Sequence, residues 1–381
     1  MRRLRIAIPI LLASATSLLT GCTATSANKA LAVGATCTQQ TVSVNLSAAD
    51  PTVYRIAGQL CLNPDSRRGG NTVELLVSGL TYDHNYWDLS YERKTYSYVY
   101  AANSHGYSTF NIDRLGVGLS DHPPADKVTL QAHAHAIAQI VAQLRTGAIG
   151  DTAFQTVVGV GHSMGAAILQ YEAGTATDHR QVPDYLVLAD FLYQADPEVV
   201  ARIGAALYPA EEDPRFVSAG LPSGYLTTRP GTRLGLFFNA GAVDPAVVTA
   251  DESMKQTSTL AERITLGAAR DTVVTHAIRV PILLTIGQND ALDCNAALGM
   301  SCATSTAVLV RESAHYSSEA CLNAFIVPDA GHTTNLHRNA HLAYNYTNDW
   351  LDRYIVDPSN GEDSKDSEAD GGKDANGCRN N

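Results

Sequence analysis

Three side chains far apart in the chain have the types needed to make an alcohol reactive. Ser163 sits in Gly161-His162-Ser163-Met164-Gly165, Asp290 in Gly287-Gln288-Asn289-Asp290, and His332 in Asp329-Ala330-Gly331-His332. A serine hydroxyl is a weak nucleophile at neutral pH. It needs a base to accept its proton, and the base needs a third group to orient it. The G-x-S-x-G pattern alone is weak, because three fixed common residues recur by chance in long chains. Its flanks carry the weight. The β-branched run Val157, Val158, Val160 precedes it and Ala166-Ala167-Ile168-Leu169-Gln170 follows, so a buried strand turns at once into a helix. Such an elbow holds the serine hydroxyl proud of a sheet edge, with glycines on either side allowing backbone to come close.

The other two residues also follow strands. Val280–Ile286 runs into the turn that ends at Asp290, and Asn323–Val327 runs into the turn that ends at His332. Further strands are predicted at Val53–Leu60 on an edge, at Val73–Ser78 leading into Gly79-Leu80-Thr81-Tyr82, at Tyr107–Ile112 and at Tyr185–Asp190. Helical spacing is read at Trp87–Ala101, at Leu130–Leu144, and at Asn339–Tyr354 with Leu342, Tyr346, Trp350 and Leu351 on its inner face. Strands alternating with helices predict an α/β fold: a mostly parallel central sheet with helices on both faces. Right-handed crossovers then bring the strand C-termini, and Ser163, Asp290 and His332 with them, to one edge. The gap between Asp190 and Val280 breaks the alternation. It holds helical pieces at Glu198–Leu207 and Leu260–Ala269 around a Pro/Gly-rich middle, and is expected to form a cap over the site, spanning about 192–278.

Each assignment has a rival. Asp290 could cap a helix, leaving Asp190 or Asp293 as the acid. His337 and His341 lie at helical spacing, which suits packing or surface positions. His162 is expected to pack or hydrogen-bond locally, and His133 and His135 lie too far upstream for the order serine, acid, histidine. Ser120 and Asp121 read as a structural turn and Asp329 as a solvated residue.

Taken together, Gly161–Gly165, the Gly287-x-x-Asp290 turn, the Ala330-Gly331-His332 turn and the stretch Asp113–Asp121, a D-x-x-G-x-G-x-S-D loop, resemble the α/β-hydrolase family of serine hydrolases over about Val73 to Tyr354. The resemblance implies Ser163 as nucleophile, His332 as general acid and base and Asp290 as its orienter. It also implies an oxyanion hole made by the backbone N–H of Met164 and that of Leu80 or Thr81. The chain departs from the commoner His-Gly of the family with Ser78-Gly79, a change that backbone donors survive. Serine at the elbow, rather than aspartate or cysteine, argues against the dehalogenase, epoxide hydrolase and dienelactone chemistries of the fold. The expected reaction is hydrolysis of a small-molecule ester or lactone through an acyl-enzyme, with no metal or organic cofactor. Tyr82, Trp87, Phe191, Phe237 and Phe238 are candidate apolar walls. Amide or peptide hydrolysis, acyl transfer, and a catalytically silent exported binding protein are the alternatives.

The ends of the 381-residue chain read differently from its middle. Arg2, Arg3 and Arg5 precede an apolar run, Ile6–Leu19, in the manner of a secretory signal peptide. Leu19-Thr20-Gly21-Cys22 is similar to a lipobox, which would place a lipid anchor on Cys22; cleavage after Ala24 or Ala27 without lipid fits equally. The signal is therefore assigned to residues 1–22, the hydrolase-like domain to 37–356 and an acidic, disordered tail to 357–381. The net charge of −11 argues for solubility and against nucleic-acid binding. Seven cysteines in an exported chain point to disulfides rather than metal. Cys37 and Cys61 flank the first predicted hairpin and are expected to pair, as are Cys294 and Cys321. Oligomeric state is not encoded in any readable pattern.

Overall fold

The computed structural model describes residues 35–63, 71–355 and Cys378. The signal segment, Cys22 and the tail apart from Cys378 lie outside the described residues. The middle of the chain builds an eight-stranded sheet in the order β1 (Thr36–Val44), β2 (Tyr54–Leu62), β4 (Ser108–Ile112), β3 (Thr72–Val77), β5 (Thr156–His162), β6 (Tyr185–Ala189), β10 (Ile282–Gly287), β11 (Asn323–Val327). β2 runs antiparallel to both its neighbours, and every other pairing is parallel. The α/β reading of the sequence therefore holds, and with it the position of the strand C-termini on one edge.

The central strands read as nearly continuous apolar runs because both their faces are covered. All six residues of β3 are buried. One face packs on Leu130–Thr146 and Met164–Thr175; the other carries Tyr98–His105 and Ala340–Ile355. The ionisable exception on β3 is Glu74, whose carboxyl group accepts the Tyr98 hydroxyl at 2.5 Å and whose pKa burial pushes up to about 8. On the closing helix Trp350 and Leu351 are buried as expected, Leu342 and Tyr346 are half-buried, and Tyr344 fills the inner face with them.

Three expectations fail here. The strand read at Val53–Leu60 on an edge is β2, and it lies inside the sheet, because β1 pairs along its outer side from Cys37 opposite Cys61 to Val44 opposite Tyr54 and takes the edge itself. The other two fail for local reasons. The predicted helix over Trp87–Ala101 begins only at Tyr98, apart from the single turn Arg93–Tyr96. Asp88 gathers the Arg93 guanidinium (2.6 Å) and the Ser97 hydroxyl (2.7 Å) on one carboxylate oxygen, folding the chain into a turn before the helix can start. The cysteines pair as Cys37–Cys61, Cys294–Cys302 and Cys321–Cys378, so the expected Cys294–Cys321 bridge is absent. Residues 294–302 close on themselves instead: Met300 N–H donates to the Asn295 carbonyl at 2.9 Å and Gly299 turns at φ 79°, which brings Cys302 back to Cys294.

Between β6 and β10 the chain leaves the sheet. This segment carries the helices Pro197–Ala206 and Pro245–Met254, the short helix Leu260–Thr265, and a small antiparallel sheet of β7 (Leu207–Pro209), β8 (Tyr225–Thr228) and β9 (Ser258–Thr259) that sequence periodicity did not signal. Strands of two to four residues are too short to show alternation. Among the described residues no helix is long and apolar enough to cross a membrane.

Candidate active site

Ser163 stands where β5 gives way to the helix Met164–Thr175, at φ 51° and ψ −113°. Residues other than glycine rarely adopt positive φ, and the cost is of order 1–3 kcal/mol. Close packing holds the turn in place: a Cβ on Gly165 would lie 2.1 Å from the Val77 carbonyl oxygen, so the elbow helix rests directly on the end of β3. The loops after β10 and β11 are locked together in the same way. A Cβ on Gly287 would lie 2.2 Å from the Gly331 carbonyl oxygen, and Asn289 N–H donates to Ala330 at 2.8 Å.

These constraints bring the three sequence-predicted residues together. His332 Nε2 lies 2.9 Å from Ser163 Oγ, and His332 Nδ1 lies 2.9 Å from Asp290 Oδ2. The two readings of Asp290 coexist: its second oxygen accepts from Leu292 N–H at 2.8 Å, capping the turn, while the first faces the imidazole. Asp293 Oδ2 is farther from the imidazole, at 4.0 Å, and its other oxygen accepts from Arg270 at 3.2 Å. Asp190 is occupied by Gly287 N–H, Thr334 N–H and the Thr334 hydroxyl. It ties the two loops together rather than contacting the ring.

Charge is concentrated behind the imidazole. Burial pulls the His332 pKa down, but the charge and hydrogen bond of Asp290, with Asp293 and Asp190 beyond, outweigh it and raise the pKa to about 9. Burial and then the Asp290 charge push Asp190 up to about 7 and Asp293 well above the usual carboxylate range. His162 does more than pack locally. Its Nε2 lies 2.9 Å from the backbone carbonyl of His332, and its ring stacks on Tyr86 at 4.0 Å. Burial, then the neighbouring His332, keeps it well below the ordinary pKa, so His162 is neutral and serves as a donor to that carbonyl. The elbow thus holds the histidine loop by its backbone. His337 accepts N–H groups of Asn239 and Gly331, and His341 is exposed, so neither enters the site.

Leu80 and Met164 both line a cavity of about 110 Å³ that also exposes Ser163 and His332. Among the described residues no hydrogen bond uses the Leu80 N–H. Thr81 is fully buried, and its hydroxyl joins the Leu80 carbonyl to Arg233, so of the two donors considered Leu80 is the one at the cavity. The loop is set from behind by Arg114, which donates to the carbonyls of Ser78 (2.9 Å) and Gly79 (3.0 Å). Arg114 in turn meets Glu262 at 2.5 Å, a residue of the segment between β6 and β10. In the Asp113–Asp121 stretch Asp113 accepts from Leu119 N–H and Ser120 donates back to the Asp113 carbonyl, a structural turn as read.

Of the expected walls, Tyr82, Phe191 and Phe237 line the cavity. Trp87 does not: it is buried edge-on between Tyr86 and Tyr98. Phe238 turns to His337 instead. The wall that sequence reasoning missed comes from the segment between β6 and β10, through Val200, Ile203, Arg263, Leu266 and Arg270. Their spacing was the available signal, since 200 and 203, and 263, 266 and 270, fall on single helical faces. Which faces met the site was not readable from periodicity. Among the described residues two groups place three ligand-type side chains close together: Asp83, His84 and Asp113, and Asp290, Asp293 and His332. The first is engaged with backbone and Gln256, and the second is the Asp290–His332 pair with Asp293 beside it.

The sequence pattern of the alpha/beta hydrolase family matches residues 75–342. The chain belongs to the alpha/beta hydrolase family. Its fold is similar to that of a thermophilic esterase from Thermogutta terrifontis, with a TM-score of 0.55 and 19% identity, covering 84% of this chain and 100% of that one. An enol-lactonase from Burkholderia xenovorans LB400 gives 0.53 and 16%, over 82% and 99%. A soluble variant of monoglyceride lipase from Saccharomyces cerevisiae gives 0.54 and 15%, over 83% and 97%. At such identities the likeness is one of fold. No curated protein matches the sequence. Within this alpha/beta hydrolase the matched stretch contains the elbow, both turns and the whole segment from β6 to β10.

Proposed function

We propose that this alpha/beta hydrolase is a serine hydrolase that cleaves a carboxylic ester or lactone. The observation that carries the reading is the continuous contact Ser163 Oγ to His332 Nε2 to Asp290 Oδ2, each step 2.9 Å, opening on an apolar cavity. Ser163 Oγ attacks the acyl carbon as His332 Nε2 takes its proton, and Asp290 holds the imidazolium through Nδ1–H. The oxyanion lies between the N–H groups of Leu80 and Met164, which are fixed before reaction and need no reorganisation when charge develops. His332 then delivers its proton to the leaving alcohol. Water, activated by the same nitrogen, releases the acid and restores Ser163.

The chain is read as exported: the three disulfides among the described residues suit an oxidising compartment, and the segment 1–22 reads as a signal, with or without lipid on Cys22. Hydrolysis of p-nitrophenyl butyrate, together with labelling of Ser163 by a fluorophosphonate, tests the function. Turnover and stoichiometric labelling that both disappear in Ser163→Ala are expected. Folded protein that neither turns over nor labels would leave a binding protein on a hydrolase scaffold.

A further inference from the structure

The cavity at Ser163 is walled mainly by apolar side chains, among them Leu80, Met164, Phe191 and Phe237, yet two guanidinium groups enter it, Arg263 and Arg270. Arg270 already has an anion and a carbonyl of its own. It donates to the Leu192 carbonyl at 2.7 Å and to Asp293 at 3.2 Å, and lies over the Phe191 ring at 4.4 Å. Arg263 is different. Among the described residues no carboxylate or carbonyl accepts from it. A Cβ at Gly204 would lie 2.6 Å from Arg263 Nη2, so the guanidinium lies against the helix Pro197–Ala206 where that helix is bare. Its sequence neighbour Glu262 points away, into Arg114 and His133. A half-buried cation with no anion of its own, on the wall of a mainly apolar cavity, is a recognition element still lacking its counter-charge.

Resting on the ester-hydrolase reading above, we propose that the substrate is a short acyl ester or lactone carrying a carboxylate, and that Arg263 pairs with that carboxylate. The chemistry fits on both sides. A guanidinium presents a planar fork that takes a carboxylate through two parallel hydrogen bonds. A cavity of about 110 Å³ holds a chain of a few carbons between the scissile carbonyl at Ser163 and an anionic end at Arg263. Apolar walls suit the carbons between them, and Arg263 is the cation on the wall that has no carboxylate of its own among the described residues. The site would bind neutral esters as well, but without this pairing.

The test compares p-nitrophenyl hydrogen glutarate with p-nitrophenyl hexanoate, which present similar length with and without a terminal charge. The intact protein should favour the glutarate in kcat/KM by about tenfold or more. Arg263→Gln should lower that ratio by about tenfold to a hundredfold, and Arg263→Glu should reverse it. With no substitution at all, raising salt from about 0.05 to 0.5 M should shrink the ratio, because a partly exposed ion pair is screened. An intact protein that shows no preference, or a ratio insensitive to both salt and Arg263→Gln, overturns the carboxylate assignment while leaving the hydrolase reading standing. Turnover of neither ester overturns that reading, and this one with it.

Discussion

His332 and His133 each lie against a fully buried carboxylate, at 2.9 Å from Asp290 and 2.8 Å from Glu262. Yet one imidazole is raised to about 9 and the other is lowered. At His133 burial is the larger effect, Glu262 opposes it, and Arg114 adds to it. Glu262 itself is pulled down to about 2, since Arg114 and His133 overcome the cost of burying it. Its charge is already shared with a guanidinium at 2.5 Å. His332 instead faces three carboxylates, and the nearby cation, Arg270, is turned to Asp293. On the proposed mechanism, the histidine–carboxylate pair that serves as the base is the one whose carboxylate is not spent on a cation and whose far nitrogen meets a hydroxyl. Without those conditions the same pair is a latch, here joining helix Leu130–Thr146 and the Ser78-Gly79 carbonyls to the segment that walls the cavity.

The contrast can be broken by substitution. Ser163→Ala should give the largest effect, a loss of ester turnover on the order of 10⁶-fold with the melting transition unchanged; activity that survives would move the nucleophile elsewhere. Asp290→Asn should cost on the order of 10⁴-fold in kcat by favouring the wrong tautomer of His332. Asp293→Asn, at 4.0 Å, is expected to stay within about tenfold; a reversal of these two would make Asp293 the orienter. At the latch, Glu262→Gln leaves Arg114 buried without its anion, and about 3–5 kcal/mol of stability should be lost in chemical denaturation. Because the Glu262 pKa is lowered on folding, its contribution is complete above the ordinary 4.5 and disappears as pH falls through about 2. The variant's stability should therefore fall less steeply than the parent's across that window. The smallest effect is a shift in pH. On the proposed mechanism His332 must be unprotonated to take the serine proton, and its pKa is raised, so kcat/KM should rise with pH along a limb above the ordinary 6.5 and toward 9. A limb at or below 6.5 would mean that the carboxylates behind the ring do not act on it.

The nucleophile elbow and the two strand-turn sites were legible because each joins a buried apolar run to a turn, a pattern that survives in one dimension. The sheet was legible for the same reason, since strands covered on both faces are written as uninterrupted apolar runs. The latch was not. Arg114, His133 and Glu262 come from three separate stretches, and nothing in their neighbours marks them as partners. His162 hid in another way: it sits inside the motif, but its bond reaches residue 332. Trp87 misled because aromatic spacing looked helical, whereas the Asp88 carboxylate decides the local path. The arginines on the cavity wall were at readable helical spacing, but the rotation of those helices toward Ser163 is a tertiary fact.

The bond between Cys321 and Cys378 reaches across a sequence separation of 57. A protease that nicked the chain anywhere between the closing helix and Cys378 would therefore release nothing until a reductant was added: one band on a non-reducing gel, two on a reducing one. Trimming the gene after residue 360 would do something a nick does not. It would strand Cys321 as a lone thiol, open to mixed disulfides with whatever the surroundings supply.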